Sequence, residues 1–556
     1  MDTNTHYSAH LPLDLYTAEQ VRELDRLAIA SGVLGLTLMT RAGEAAFALL
    51  RERWPHAQRC VVVCGSGNNG GDGYVVARLA HEAGLQTTVI AVSEPEKLHG
   101  DARSAWELAQ QAGVEIQPFS GAIPAADVLV DALLGTGLQG SLRDHARRAI
   151  TAIRETRIPV LAIDIPSGLS ADAGEPLGDA VHAAVTLTFI GIKLGLVLAQ
   201  ARAFVGELLF AGLFYDGLSL PEPFRRQQPP TARWITQAQV NTALPPRSRT
   251  AHKGHFGHVL VIGGDYGMGG AVLMAAEAAA RMGAGLTTVA TRLEHAPALL
   301  ARRPEIMVHS AENAVGLQAL VKSATTLVIG PGLGRNAWGK GLFQQVMVDG
   351  ADRLAGKHIV IDADGLFWLE FFSRQPLLAI NAQHWVLTPH PGEAARLLGS
   401  ETSTVQQDRF AAVQKLHKKY QGVVVLKGAG TLILGREGGE HDVPHLASVG
   451  NPGMATGGMG DVLSGLIGGL LAQGKSLLDA ARIGVWLHGA AADRVAAKYG
   501  ERGLLATDLF EPLRALANPP VDPALPAEIL PEAVLAEPSL PEPSILPESS
   551  SDESAP

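Results

Sequence analysis

Residues 61–80, VVVCGSGNNGGDGYVVARLA, restrict the fold more than any other stretch of the chain. A short β-branched run enters a glycine-rich loop holding two Asn and one Asp, and helical spacing follows. Glycine lets the backbone approach a ligand closely, and a strand that passes through such a loop into a helix is the repeating unit of an open parallel sheet. The unit recurs. Strands are expected at 59–63, 86–91, 128–131, 160–163 and 184–189, then at 257–263, 326–329, 358–362, 385–388, 423–427 and 431–434. Longer helical runs separate them, which specifies an α/β chain whose parallel sheets are covered on both faces.

Between the two blocks, 218–231 (LSLPEPFRRQQPPT) is proline-rich and polar. A chain of 556 residues exceeds one hydrophobic core. The expected division is a first domain over 1–220, a linker over 221–232 and a second domain over 233–517. Residues 518–556, dense in Pro, Glu and Ser, have the composition of a disordered tail. Near the N-terminus, Thr17 followed by Gln20 is a capping-box pattern that opens a helix.

The net charge of −10 argues against a nucleic-acid partner. Cys60 and Cys64, the only cysteines, lie four apart on one expected strand, too far for an ordinary disulfide. A reducing compartment, the cytoplasm, fits. No basic region followed by an apolar stretch marks a secretory signal. The most apolar windows, 181–200 and 271–290, are broken by Lys193, Glu277 and Arg281, so core elements rather than membrane spans are expected.

In the first block, three loops after strands carry the polar residues: GSGNNGGDG (65–73), DALLGTGLQGS (131–141) and DIPSG (164–168). Ligands bind at the carboxyl ends of strands in such sheets, so the three loops should converge. Gly65, Gly67 and Gly70 form a GxGxxG, yet the next strand, QTTVIAV, ends without an acidic residue placed to hold a ribose. A standard dinucleotide cradle is therefore disfavoured. Asp131 and Asp164 each end a strand, where a carboxylate can act as a base, orient a hydroxyl, bind a cation or cap a helix.

The second block holds HKGHFGHVLVIGGDYGMGGA (252–271), IGPGLG (329–334), DADGL (362–366), LTPHPGE (387–393), VVVLKGAGT (423–431) and NPGMATGGMGDVLSG (451–465). GGMGD sets glycine amides at the start of a helix with Asp461 in its first turn. A transferring phosphoryl group could rest on those amides while Asp461 takes a proton from the attacking hydroxyl. Residues 469–476 formally match GxxxxGK[ST], but the preceding DVLSGLIGGLLAQ has helical character, with Gly474 as its stop and Ser476 as the next start. A phosphate-binding loop of that type follows a strand, so the match is discounted.

The first 215 or so residues resemble the NAD(P)H-hydrate epimerase family, through NNGGDG, DALLGTG and IDIPSG. The resemblance implies a Rossmann-like three-layer α/β/α domain acting on a hydrated nicotinamide cofactor. It places Asn68, Asn69, Gly70, Gly71, Asp72, the loop Gly135, Thr136, Gly137, Leu138, Gln139, Gly140, Ser141, and Asp164 on the substrate. It also implies a potassium ion on Asn69, Asp131 and Ser167. Asp164 is the expected acid/base residue. Lys193 is a second candidate, or a surface lysine at an element end.

Residues 234–513 resemble the ribokinase-like superfamily, and within it the ADP-dependent NAD(P)H-hydrate dehydratase family, through PGLG, TPHPGE, KGAGT and PGMATGGMGDVLSG. That resemblance implies nucleotide binding by Lys427, Gly428, Ala429, Gly430, Thr431 and Gly460, and hydrate binding by Ala271, Gly334, His390 and catalytic Asp461. The phosphoryl donor would be ADP or ATP, with Mg2+. His390 would orient the substrate or be a satisfied buried histidine; Asp362 and Asp364 would assist magnesium or cap. Two other functions share the fold: a small-molecule kinase with a nucleotide-sensing first domain, and a nucleotide-binding scaffold. Intact NNGGDG and GGMGD disfavour the scaffold, while HPGE and PGMATGG disfavour the kinase. A cytoplasmic homo-oligomer with no membrane or nucleic-acid partner is expected.

Overall fold

The computed structural model describes residues 7–518 except Gln139, 215–219, Asn313, 374–383 and 437–441. Gln139 and the expected tail beyond 518 therefore lie outside the described residues. The first sheet consists of β2 (Arg59–Cys64), β3 (Gln86–Ala91), β4 (Glu115–Pro118), β5 (Val128–Ala132), β6 (Val160–Ile163), β7 (Val185–Phe189) and β9 (Glu207–Ala211). Its strands run parallel in the order β4-β3-β2-β5-β6-β7-β9. The order reverses direction between β2 and β5, which opens a crevice at their carboxyl ends. GSGNNGGDG leaves β2 and DALLGTG leaves β5, so both loops enter that crevice.

The second sheet has the order β13-β12-β11-β14-β15-β16-β17-β18-β19-β10-β1-β8. Its strands are β1 (Asp14–Tyr16), β8 (Ile192–Lys193), β10 (Ala232–Trp234), β11 (His258–Ile262), β12 (Leu286–Thr291), β13 (Met307–Ser310), β14 (Thr326–Ile329), β15 (His358–Ile361), β16 (Trp385–Leu387), β17 (Val423–Leu426), β18 (Thr431–Leu434) and β19 (His445–Ala447). The reversal here lies between β11 and β14. Central strands such as β5, β6, β14 and β17 are buried on both faces, as near-continuous Val/Ile/Leu runs require.

The two halves share this second sheet. β10 pairs parallel with β19, β1 pairs antiparallel with β10, and β8 pairs parallel with β1. Leu15, Ile192, Leu196 and Val197 lie in one buried cluster with Leu432 and Leu446. Residues 221–232, expected as a linker, hold the helix Glu222–Gln227 and run into β10. Strands of two or three residues leave no periodicity to detect, which is why β1, β8, β10 and β19 were not expected.

Helix Ala18–Ala30 starts with the reciprocal Thr17–Gln20 capping box that the sequence signals. Cys60 and Cys64 are buried and free. Among the described residues no single helix is long and apolar enough to cross a membrane. The glycines of 465–469 serve helix packing: a Cβ on Gly465 would strike the Ala275 backbone, and one on Gly469 would lie 2.7 Å from the Ala279 carbonyl. Helix Met459–Ala472 thus lies directly on helix Gly269–Met282. Gly474 (φ +81°) ends the turn after it and the Ser476 hydroxyl accepts from Asp479 N, so the 469–476 motif match is a helix junction.

Candidate active sites

A cavity of about 530 Å³ opens at the crevice of the first sheet. Asn68, Asn69, Asp72, Thr136, Asp164 and Lys193 are on its lining, so the three glycine loops converge as expected. The convergence depends on missing side chains: a Cβ on Gly65 would strike the Leu133 carbonyl, and one on Gly70 would strike that of Gly65. Helix Asn68–Glu82 starts without a side-chain cap, leaving amide donors of its first turn at the cavity.

Three lining residues hold left-handed backbone without being glycine: Asp164 at φ +67°, Ile190 at φ +65° and Leu213 at φ +58°. Such conformations cost about 1–3 kcal/mol each and persist where surroundings over-determine them. What fixes Asp164 is Lys193, which is fully buried and ion-paired to its carboxylate. The Lys193 ammonium also donates to Thr188 Oγ1 and the Phe189 carbonyl, both at 3.0 Å. A surface lysine is therefore excluded: Lys193 belongs to the site.

Asp25, from helix Ala18–Ala30, was not anticipated from the sequence and also lines the cavity. Burial pushes its carboxyl up to about 6, with Lys193 opposing and Asp164 adding to the rise. Burial, then Asp164 and Asp25, raises Asp72 well above the usual carboxylate range. Asp25 sits mid-helix between buried Leu24 and Ala28, with no glycine or proline beside it to mark a site.

The potassium ligands implied by the family resemblance are chemically compatible with a hard cation. Both polar atoms of the Asn69 side chain are buried without a partner, and Asn69 packs on Gly135. Asp131 is fully buried and accepts from Ser167 Oγ at 2.6 Å and Ser167 N at 2.8 Å. Burial pushes its carboxyl up to about 6 despite the hydrogen bonds from Ser167. Buried oxygen donors of this kind suit an alkali or alkaline-earth ion.

In the second half, the ends of β15 and β17 bring Asp362 and Lys427 together. Lys427 Nζ lies 2.9 Å from Asp362 Oδ1 and 3.9 Å from Glu393 Oε2. Ser464 Oγ is 2.6 Å from Asp362 Oδ2 and 2.8 Å from the Gly460 carbonyl. Burial works against ionising Asp362, but Lys427 and hydrogen bonds from Ser464 and Thr388 hold it below the usual range. Burial and the neighbouring Asp362 push Asp461 up to about 7, with Lys427 opposing. A carboxyl there exchanges its proton near neutrality, as a general base must. Asp362, expected as a magnesium assistant or a cap, is the buried anion paired with Lys427.

The KGAGT turn between β17 and β18 is built around Gly428 (φ +144°) and Gly430 (φ +69°). Arg409 holds it from the carbonyl side, donating to Leu426 O at 3.2 Å, Lys427 O at 3.3 Å and Ala429 O. Nothing in the sequence marked Arg409. With the carbonyls engaged there, amide donors are left for the opposite side, where anionic phosphates would rest.

His390 caps helix Pro391–Leu398, its Nδ1 accepting from Gly392 N at 3.0 Å and Glu393 N at 3.4 Å. Its side chain is 56 % exposed, so the buried-histidine alternative does not hold. Gly334 donates its amide to Asp364 Oδ2 at 3.0 Å, and Asp364 is ion-paired with Arg335. A Cβ on Gly332 would lie 3.1 Å from that of Ala271, so the loops after β11 and β14 touch. Asp265 joins them, accepting from Arg292 at 2.9 Å, and Arg292 is stacked between the Tyr266 and Trp338 rings. Ala271 and Gly334 therefore form one group around Asp265, and Lys427, Gly460 and Asp461 another around Asp362.

Fold and sites together define a two-part α/β enzyme, with a carboxylate-lined cavity at the first sheet and a buried Lys–Asp cluster beneath glycine turns at the second. Residues 259–514 match the family described as NAD(P)H-hydrate dehydratase, and residues 35–195 match the YjeF-related protein N-terminus. The chain is 50% identical over 506 residues to the bifunctional NAD(P)H-hydrate repair enzyme Nnr of Coxiella burnetii, covering 91% of this chain and 99% of that protein. It is 43% identical over 521 residues to the enzyme of the same name from Escherichia coli, covering 92% and 95%. An ADP/ATP-dependent NAD(P)H-hydrate dehydratase from Bacillus subtilis, co-crystallised with ATP/Mg2+, is 27% identical with a TM-score of 0.43, over 51% of this chain and 97% of that one. The chain belongs to the bifunctional NAD(P)H-hydrate repair enzyme family.

Proposed function

We propose that this protein repairs hydrated nicotinamide cofactors: its first half interconverts the R and S epimers of NAD(P)H-hydrate at C6, and its second half dehydrates the S epimer at the expense of a nucleotide. The observation that carries the reading is Asp461, poised near neutrality beside the Lys427–Asp362 pair at a glycine-bounded helix start. The family match supports both halves. The domains are assigned as 1–220 and 233–517, joined through 221–232.

In the second half, Asp461 takes the proton of the C6 hydroxyl as that oxygen attacks the terminal phosphoryl group of the donor. Lys427, Gly428, Ala429, Gly430, Thr431 and Gly460 hold the nucleotide, while Ala271, Gly334 and His390 contact the hydrate. Phosphate then leaves C6 far more readily than hydroxide would, and loss of a C5 proton restores the ring double bond. ADP is the proposed donor, giving AMP and phosphate, with ATP as the alternative. Magnesium would ride on the phosphates with one or two protein carboxylates.

In the first half, Asn68, Asn69, Gly70, Gly71, Asp72 and the loop 135–141 grip the substrate. Asp164, aligned by Lys193, exchanges a proton with the C6 hydroxyl as its configuration is lost and regained. Asn69, Asp131 and Ser167 would hold a potassium ion, which supplies fixed positive charge and rigidity to the loops. We place the enzyme in the cytoplasm as a homo-oligomer, a state that sedimentation tests.

Stoichiometry tests the reading. One AMP and one phosphate should appear for each NADH formed from ADP and the hydrate. Nucleotide consumption that leaves a stable phosphorylated product and no NADH would mean a kinase instead.

A further inference from the structure

The two epimers carry the hydroxyl on opposite faces of the ring. With the ring held in one orientation, a group that protonates a hydroxyl leaving one face cannot collect the proton from water returning to the other. Inversion at C6 therefore needs proton-transfer groups at two positions, and Asp164 supplies one in the reading above, on which this inference rests.

The cavity lining offers few others. Lys193 is committed to Asp164, Thr188 and the Phe189 carbonyl. Arg22 donates to the Thr136 carbonyl at 2.9 Å, and Arg143 and His145 are solvent-exposed. Asp101 lies against Gly35. Asp72 and Asp25 remain. Asp72 sits near the start of helix Asn68–Glu82, in the NNGGDG loop that grips the substrate in the reading above. Asp25 enters the cavity from helix Ala18–Ala30, apart from the strand-end loop that carries Asp164, and burial pushes its carboxyl up to about 6, as suits a group that must give and take a proton in turn. Its helix is fixed at the start by the Thr17–Gln20 box and by Asp172, which accepts from Ala18 N at 2.7 Å.

We propose that Asp25 is the second proton-transfer residue of the epimerisation, serving the ring face opposite to that served by Asp164. From one epimer, the Asp25 carboxyl gives its proton to the C6 hydroxyl oxygen. The C6–O bond breaks with its electron pair on oxygen, the ring nitrogen lone pair forms N1=C6, and water departs. Water then adds to C6 from the other face, the N1=C6 pair returns to nitrogen, and Asp164 accepts the released proton. The other epimer runs the same steps in reverse, and solvent water returns the proton between turnovers.

The test uses the full-length Asp25→Asn variant and each separated epimer in water enriched in oxygen-18, with the spontaneous rate subtracted. Interconversion should fall by about 10²-fold or more, while label still enters the one epimer whose hydroxyl faces Asp164. Dehydratase turnover of the S epimer should stay within about twofold of wild type. Interconversion within about threefold of wild type would overturn the proposal. So would exchange and interconversion falling equally, since that marks a role in binding or folding alone. If Asp25→Asn also loses dehydratase turnover, Asp25→Glu carries the test: interconversion with a displaced pH profile supports the role, and an unchanged profile refutes it. A wild-type enzyme that interconverts nothing would overturn the functional reading rather than this residue's part in it.

Discussion

Replacing Lys193 with Met tests how the first cavity is held together. Lys193 is fully buried, and its ammonium is the cation paired with Asp164 while Asp25 and Asp72 line the same cavity. Met preserves most of the stem volume but leaves three carboxyls without that charge. Removing one partner of a buried pair costs about 3–5 kcal/mol. For a domain of this size that corresponds to a fall in Tm of roughly 6–20 °C, at about 2–4 °C per kcal/mol. The pH dependence carries the sign. Lys193 is the charge that opposes the upward push of burial on Asp25 and Asp72, so without it those carboxyls hold protons in the folded state that they give up when unfolded. The loss should therefore be small near pH 5 and grow as pH rises toward 8. Melting followed by circular dichroism at several pH values measures this, and Lys193→Met combined with Asp164→Asn should recover most of the stability. A Tm change under about 2 °C, or one that does not vary with pH, would refute the assignment of Lys193 as the cavity's counter-charge.

Other consequences are more local. Asp461→Asn should lower dehydratase kcat by about 10²–10⁴-fold and leave epimer interconversion unchanged, as separate assays of each epimer would reveal. Because the Asp461 carboxyl is pushed up to about 7, dehydratase kcat should rise with pH through that value and fall off below it, as a base that must first lose its proton requires. Gly430→Ala should raise the nucleotide KM more than it lowers kcat, since Gly430 sits at φ +69° and its Cβ would lie 2.7 Å from Leu198 Cδ2. Exchanging potassium for a large organic cation should lower the Tm of the wild type, and Asp131→Asn should abolish that response.

Much of this was legible because the chemistry sits on loops whose glycines are themselves the signal. GSGNNGGDG, KGAGT and GGMGD are spelled by the close approaches they permit, as Gly65 against Leu133 illustrates. The strand-end carboxylates Asp131 and Asp164 were visible for the same reason. What stayed hidden depends on distance in the chain. Asp362 meets Lys427 only because β15 and β17 flank β16, so 65 residues separate partners 2.9 Å apart. Asp25 and Arg409 occupy ordinary helices, where a charged residue is more often solvated than engaged. The joining of the halves through β1, β8 and β10 was invisible because pairing of two- and three-residue strands is decided by tertiary context rather than by local pattern.

The central claim, that one chain epimerises and dehydrates the same damaged cofactor, is tested most directly with racemic hydrated NADH. With ADP or ATP present and spontaneous epimerisation subtracted, NADH absorbance should recover completely for the wild type. Asp461→Ala should abolish recovery, and Asp164→Ala should retain a fast recovery of the S epimer with only the R epimer delayed. No recovery with either nucleotide, or loss of all dehydration in Asp164→Ala, would contradict the account.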